Sequence, residues 1–198
     1  MILPRNFYTR DDVVLIAREL LGKTLYSSIN GILTSGLITE TEAYAGVTDR
    51  ASHAFNGRRT SRTEVMFMAG GTAYVYLCYG VHSLFNVVTS FEGTPNAVLI
   101  RSVKPMEGLE AMKCRNGKTS MGLREGTGPG KVSKILGIHY SHSGWPLVHE
   151  KGRPSGDGLW IEDVGIVPDP ALIIAGPRIG VDYAGDDALL PYRFRISL

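Results

Sequence analysis

The sequence predicts a single α+β domain whose sheet is mainly antiparallel, and three observations carry this. Eight short runs, apolar or alternating, read as strands, and most are joined by turns rich in Gly, Pro, Asn and Asp rather than by regular crossover helices. Only three segments carry helical signals. No repeat, low-complexity stretch or linker divides the 198 residues, a length that with 43% hydrophobic content buries one substantial core.

The first helix is predicted in "TRDDVVLIARELLGK", residues 9–23. Thr9 and Asp12 form a capping-box-like start, Val13, Ile16, Ala17, Leu20 and Leu21 fall on one face, and Gly22 stops it. "TLYSSI" and "ILTSGLITETEAY" then flank Asn30-Gly31, a strong two-residue hairpin signal. Period-two alternation places Ile38, Glu40, Glu42 and Tyr44 on one face of the second strand, with Leu37, Thr39, Thr41 and Ala43 on the other. From Asp49 to Arg62 the chain is polar and arginine-rich, which predicts a surface loop. "TAYVYLCYGVHSLFNVVTS" reads as two strands around a turn near Tyr79-Gly80, and "NAVLIRSV" as a third ending before Pro105. Pro105 suits the first position of a helix bearing Met106, Leu109 and Met112 that "RNGK" ends. "GTGPGKVSKILGI" reads as a glycine-rich loop opening a short helix, and "GLWIEDV", "ALIIAG" and "YRFRISL" as three further strands.

Composition narrows the function classes. Net charge is +2, but residues 101–134 carry eight Lys and Arg against three Glu, so a local basic surface able to follow a polyanion is expected beside the plainer reading of a solvated face. "MILPRNFYTRDD" contains neither a signal-peptide pattern nor a membrane span, which predicts a cytoplasmic protein. Cys78 and Cys114 lack metal-ligand spacing and read as buried free thiols. The glycines at 126, 128 and 130 do not match a P-loop, so a nucleotide cofactor is not expected; the loop could still offer N–H groups and Lys131 to a phosphate.

Glu42 lies near the end of its strand, where a side chain can face a cleft from a rigid backbone, a good place for a general base. A lone strand glutamate is more often exposed or ion-paired, and Glu40 beside it could equally be the functional one. Tyr44, His53, Tyr74, Tyr76 and Tyr79 form an aromatic group in which packing is the ordinary role. Tyr79 differs. At the tip of its hairpin, followed by Gly80, it has little to pack against and could wedge into a base stack. His53 has no second His or Cys at ligand spacing, so hydrogen bonding or stacking suits it better than a metal.

In order along the chain, "ETEAY" at 40–44, "RASHAFNGRRTSR" at 50–62, "MFM" at 66–68, "GTAYVYLCYG" at 71–80, "FNVV" at 85–88, "AVLIRSVKPMEG" at 97–108, "GPGK" at 128–131, "GPRIGVDYAG" at 176–185 and "PYRF" at 191–194 resemble the alkyladenine (3-methyladenine) DNA glycosylase family. The resemblance spans nearly the whole chain. It implies one domain over 1–198: an α+β fold with a mainly antiparallel curved sheet, flanking helices and a protruding β-hairpin. It implies a monofunctional, monomeric enzyme of base excision repair that acts on duplex DNA with damaged purines, without cofactor or metal. Residue by residue, Glu42 would activate the water, Tyr44, His53 and Tyr76 would form the base pocket, and Asn86 would crowd the 2-amino group of normal guanine. Tyr79 would intercalate, and Arg101 would lie near the phosphate of the flipped nucleotide. Arg58, Arg59, Arg62, Lys131 and Lys134 are candidates for backbone contacts, because positive charge beside a cleft holds phosphates without reading sequence. "AGG" at 69–71 and "VHSLFN" at 81–86 depart from the family pattern near the hairpin and the pocket rim. A non-catalytic nucleic-acid-binding module and a hydrolase of free nucleosides are the competing readings; the first needs no Glu42, and the second needs no wedge or basic surface.

Overall fold

The computed structural model describes residues 1–197; Leu198, with which the last strand-like run ends, lies outside them. Two short helices, α1 (Arg5–Tyr8) and α2 (Val13–Glu19), precede the hairpin β1 (Thr24–Ile29) and β2 (Ile32–Tyr44). A second hairpin, β3 (Ala73–Cys78) and β4 (His82–Thr89), leads into β5 (Asn96–Pro105), α3 (Leu109–Asn116) and α4 (Pro129–Leu136). Strands β6 (Gly158–Glu162), β7 (Ile173–Gly176) and β8 (Arg193–Ile196) complete the chain. The described residues thus form the expected α+β fold, and the strands follow the order β3-β4-β5-β2-β1-β6 with β8 added to β2 and β7 to β8. All of these pairings are antiparallel.

The 13 residues of β2 make this arrangement possible. Along one edge it pairs β1 over Ile32–Leu37 and then β8 over Glu40–Glu42, while its other edge pairs β5 from Gly36 to Tyr44. Residues opposite one another in register share a face. One face carries the file Ala73, Val87, Val98 and Ala43, all buried against Ile16 and Ala17 of α2 and Val132 and Ile135 of α4 in the main core. The other face carries the file Tyr74, Asn86, Leu99, Glu42 and Arg193. Because the core is built on one side, the second side is left to form a cavity.

Several local expectations change. The alternation along β2 breaks: register steps from Ile38↔Val103 to Glu40↔Ser102 and then to Thr41↔Ile100, so Thr39 bulges from β2 and Arg101 from β5. Ile38 therefore packs in the same core as Ala43 instead of sharing a face with the glutamates. Thr9 does not cap α2; it ends α1, and the Asp12 side chain alone accepts from the Leu15 N–H. Pro105 closes β5 rather than opening a helix, since Gly36 pairs opposite it, and α3 starts four residues later at Leu109. The run 49–62 is a surface loop only in part. Asp49, Ala51, Ser52 and Ala54 are buried, whereas 56–62 are exposed. The thiols are free but not buried: Cys114 is exposed and Cys78 half-buried. Arg115 also turns inward, to Thr34 Oγ1 and the Ile135 carbonyl, so the basic segment is not one continuous solvent face. Its glycines have backbone work to do. A Cβ on Gly126 would stand 1.9 Å from the Val103 carbonyl oxygen, and Gly128 has a φ of +101°, so this loop is laid directly on β5.

Candidate active site

Glu42 has no solvent-exposed surface. Its Oε1 accepts the Ile179 N–H at 2.8 Å, and its Oε2 accepts the Tyr44 hydroxyl at 2.9 Å and Arg101 Nη1 at 3.4 Å. Tyr44, Arg101 and Ile179 all line a cavity of about 480 Å³, so the carboxylate lies one side chain behind the cavity wall rather than openly in a cleft. Burial pushes its pKa up, against the pull of Arg101, the Ile179 N–H and the Tyr44 hydroxyl. Arg101 lies two residues beyond Leu99 and keeps its face, so its Nε lies 3.5 Å from Glu40 and its Nη1 beside Glu42. The paired bulges act on the flanking pair, turning Ile38 and Val103 into the core. Glu40 takes a different part, held between Arg101 and Arg193.

The cavity wall is aromatic. Tyr76 stands 4.7 Å from His53, edge to face, and 5.5 Å from Tyr74, while His53 Nδ1 and the Tyr74 hydroxyl share a 3.0 Å hydrogen bond. Burial, together with Arg62 and Arg58 nearby, lowers the His53 pKa to about 4, so the imidazole is neutral at physiological pH. Burial raises the Tyr44 and Tyr76 hydroxyls as well. The result is a wall of neutral, electron-rich rings with a carboxylate behind it. Asn86 is buried, and its amide nitrogen donates to the carbonyls of Tyr74 and Leu84 at 3.1 and 3.2 Å. With both hydrogens occupied, its head is fixed in the wall and cannot turn aside for a bulky ligand.

Beside the cavity the β3–β4 hairpin protrudes. Tyr79 is 93% exposed, and with φ +51°, followed by Gly80 at +71°, it forms the centre of a β-turn closed by the Val81 N–H on the Cys78 carbonyl at 3.1 Å, within a three-residue loop. A tyrosine in the left-handed region costs on the order of 1 kcal/mol that Asn or Gly would largely avoid, which points to a use for the ring outside the fold. Arg62 stands over the Tyr76 ring at 4.7 Å, and it also lines a second, polar cavity with Arg58. Arg59 is placed differently: its guanidinium is held by both oxygens of Glu64 and lies over Phe67. Lys131 and Lys134 are exposed on α4, whose first residue, Pro129, lines the main cavity. Among the described residues no group of three or more His, Cys, Asp or Glu could hold a metal ion, and no helix is long and apolar enough to cross a membrane.

This combination of aromatic cavity, masked carboxylate and exposed hairpin ring has a counterpart in sequence. The profile of methylpurine-DNA glycosylase (MPG) matches residues 6–197. The chain belongs to the methylpurine-DNA glycosylase family. Curated relatives from Bacillus mycoides (strain KBAB4) and Chlamydia felis (strain Fe/C-56) carry the name "Putative 3-methyladenine DNA glycosylase". The first is 44% identical over 205 residues, which cover 98% of this chain and 95% of the relative, and the second is 40% identical over 198 residues, which cover 100% and 97%.

As a glycosylase of alkylated purines in DNA repair, the protein acts on damaged DNA. Of the residues expected for that task, the glycosylase fold brings Tyr44, His53, Tyr76, Asn86, Tyr79 and Arg101 to one cavity and its rim, with Glu42 just behind the wall. Arg62 lines both cavities and Arg58 the second, while Arg59, Lys131 and Lys134 line neither. Sequence reasoning missed the 177–183 segment. Ile179 supplies a donor to Glu42, and Tyr183, 70% exposed at the rim, donates to the Ala51 carbonyl. The only available signal was the "GPRIGVDYAG" motif, which names no chemistry. One expectation about discrimination follows from the fixed amide. Asn86→Ser should raise release of unmodified guanine by about tenfold, the scale of one removed steric contact, with 3-methyladenine release little changed. Purine release from undamaged DNA measures it, and an unchanged guanine rate would remove Asn86 from selection.

Proposed function

We propose that this glycosylase flips 3-methyladenine, 7-methylguanine, hypoxanthine and ethenoadenine out of duplex DNA and hydrolyses the N-glycosidic bond with water activated by Glu42, leaving an abasic site. The observation that carries the reading is the carboxylate held by three donors immediately behind an aromatic cavity, beside a strained and exposed hairpin tyrosine. A purine enters the cavity only by leaving the base stack, which costs a few kcal/mol that Tyr79 offsets by filling the gap. In the cavity the rings of Tyr44, His53 and Tyr76 stack on the base, and a cationic alkylpurine gains about 0.5–2 kcal/mol per ring face.

The Arg101 contact to Oε2 is the longest of the three, so it is the one a water can enter. A water between that guanidinium and Oε2 is held by both. Its oxygen attacks the anomeric carbon, its proton passes to Glu42, and the bonding pair leaves with the purine nitrogen. A cationic 3-methyladenine or 7-methylguanine departs neutral and needs no acid, whereas hypoxanthine and ethenoadenine, neutral in the nucleotide, must take up a proton as they leave. The carboxylate also stabilises the oxocarbenium character of the sugar, and because it is desolvated its charge acts at short range. No lysine stands in the ETEAY strand to form a Schiff base, so strand cleavage is not part of the reaction. A binding module would gain nothing from a carboxylate desolvated at this depth.

The test uses duplexes that each bear one of these four lesions and measures free purine released under single-turnover conditions. With 7-methylguanine, cationic below neutral pH, the rate should rise with pH across the acid range as Glu42 ionises. Because burial raises the folded pKa, the base is lost as pH falls through a midpoint above the ordinary carboxylate range. Release from none of the lesions, or a rate flat down to pH 4, contradicts the reading.

A further inference from the structure

Arg178 immediately precedes Ile179, whose N–H holds Glu42 Oε1. Its side chain has no exposed surface. Both oxygens of Asp49, likewise buried, receive its two terminal nitrogens, one at 2.8 Å, and the same nitrogens reach the carbonyls of Ala43 at 2.9 Å and Asp187 at 3.0 Å. The guanidinium lies over the Tyr44 ring at 4.8 Å and the Tyr192 ring at 5.3 Å. Asp49 is anchored in turn by the N–H groups of Ala45 and Ala51. Stability gives little reason for such a pair, because well-packed apolar residues commonly replace a buried ion pair without loss. Position gives a better one. One fixed fork ties together the backbone just before Tyr44, the face of the Tyr44 ring and the residue next to the Ile179 donor.

We propose that Arg178, locked by Asp49, is a positioning residue for base release: through Tyr44 and the Ile179 N–H it keeps the Glu42 carboxylate aimed at the attacking water. The proposal rests on the reading of Glu42 as the base. A second-layer fork of this kind acts by geometry, and a displacement near 1 Å at the carboxylate is enough to cost about 10²-fold in rate.

Arg178→Gln alone leaves Asp49 buried without a counter-charge, so the neutral pair Asp49→Asn/Arg178→Gln and the charge-keeping Arg178→Lys are made beside it. Single-turnover release of 7-methylguanine, lesion-duplex affinity and the pH–rate profile are measured for each. The groups that face Glu42 are Tyr44 and Glu40 from β2, Arg101 from β5, and Arg178 with the Ile179 N–H from the 177–181 segment. Loosening the last two should move the acid limb of the profile to higher pH. All folded variants should slow release by about 10²-fold with lesion affinity within about threefold, and Arg178→Lys should not rescue, because an ammonium lacks the fork. Adding Glu42→Gln to the neutral pair should slow release no further than Glu42→Gln does by itself. Normal rates in the folded neutral pair, or rate and affinity falling in parallel, overturn the proposal. Full activity of Glu42→Gln instead overturns the underlying reading, and the two failures are thereby told apart.

Discussion

Glu42→Gln should lower single-turnover release of 7-methylguanine by about 10²–10⁴-fold, the contribution of a well-placed general base, while lesion-duplex affinity stays within a few-fold of wild type. The substitution keeps the shape of the side chain, and its carbonyl can still accept the Ile179 N–H. An amide cannot take the proton of water, and its NH₂ meets the Tyr44 hydroxyl and Arg101, which donate to the carboxylate in the native protein. Because Arg101 keeps Glu40 as a counter-charge and a buried ion has been removed, the fold survives. Circular dichroism and a thermal midpoint check this. Unaltered release would remove Glu42 from the chemistry, and joint loss of binding and release would make it a pocket residue only.

The second large effect is expected at the hairpin tip. Tyr79→Ala should weaken lesion-duplex binding and slow release by about ten- to a hundredfold, since a stacked aromatic ring is worth about 1–3 kcal/mol. On single-stranded DNA with the same lesion there is no opposite-strand stack to hold open, and the loss should be under about threefold. The free protein should melt at an unchanged temperature, because the ring is 93% exposed and contributes little packing. Fluorescence of a 2-aminopurine beside the lesion separates flipping from chemistry. Equal losses on both substrates would contradict a wedge.

The parts of this protein legible in its residues are those governed by short-range rules. Asn30-Gly31 and Tyr79-Gly80 mark turns because both central positions need positive φ, and both turns are there. Val13, Ile16 and Ala17 on α2, with Leu20 and Leu21 in the turn that ends it, are buried as their spacing requires. Thr9 and Pro105 were misleading for different reasons. Each fits a helix start by local preference, yet Pro105 is taken by the β2–β5 ladder, whereas Thr9 is taken locally by the short α1, whose Arg5 carbonyl accepts its N–H.

What the residues by themselves determined, then, is the class of fold, its antiparallel character, the aromatic and acidic chemistry of the ETEAY strand and the exposed ring at 79. What only the tertiary structure decided is how those groups meet. The double bulge at Thr39 and Arg101 moves Ile38 and Val103 to the core, and the closing segment near 179, distant by 137 positions, supplies a donor to Glu42. Alternation is a property of a regular strand, whereas a bulge depends on two strands pairing with unequal residue counts. Bonds between residues so far apart leave no periodic trace in either segment, so the floor of the cavity exists only once the chain has closed.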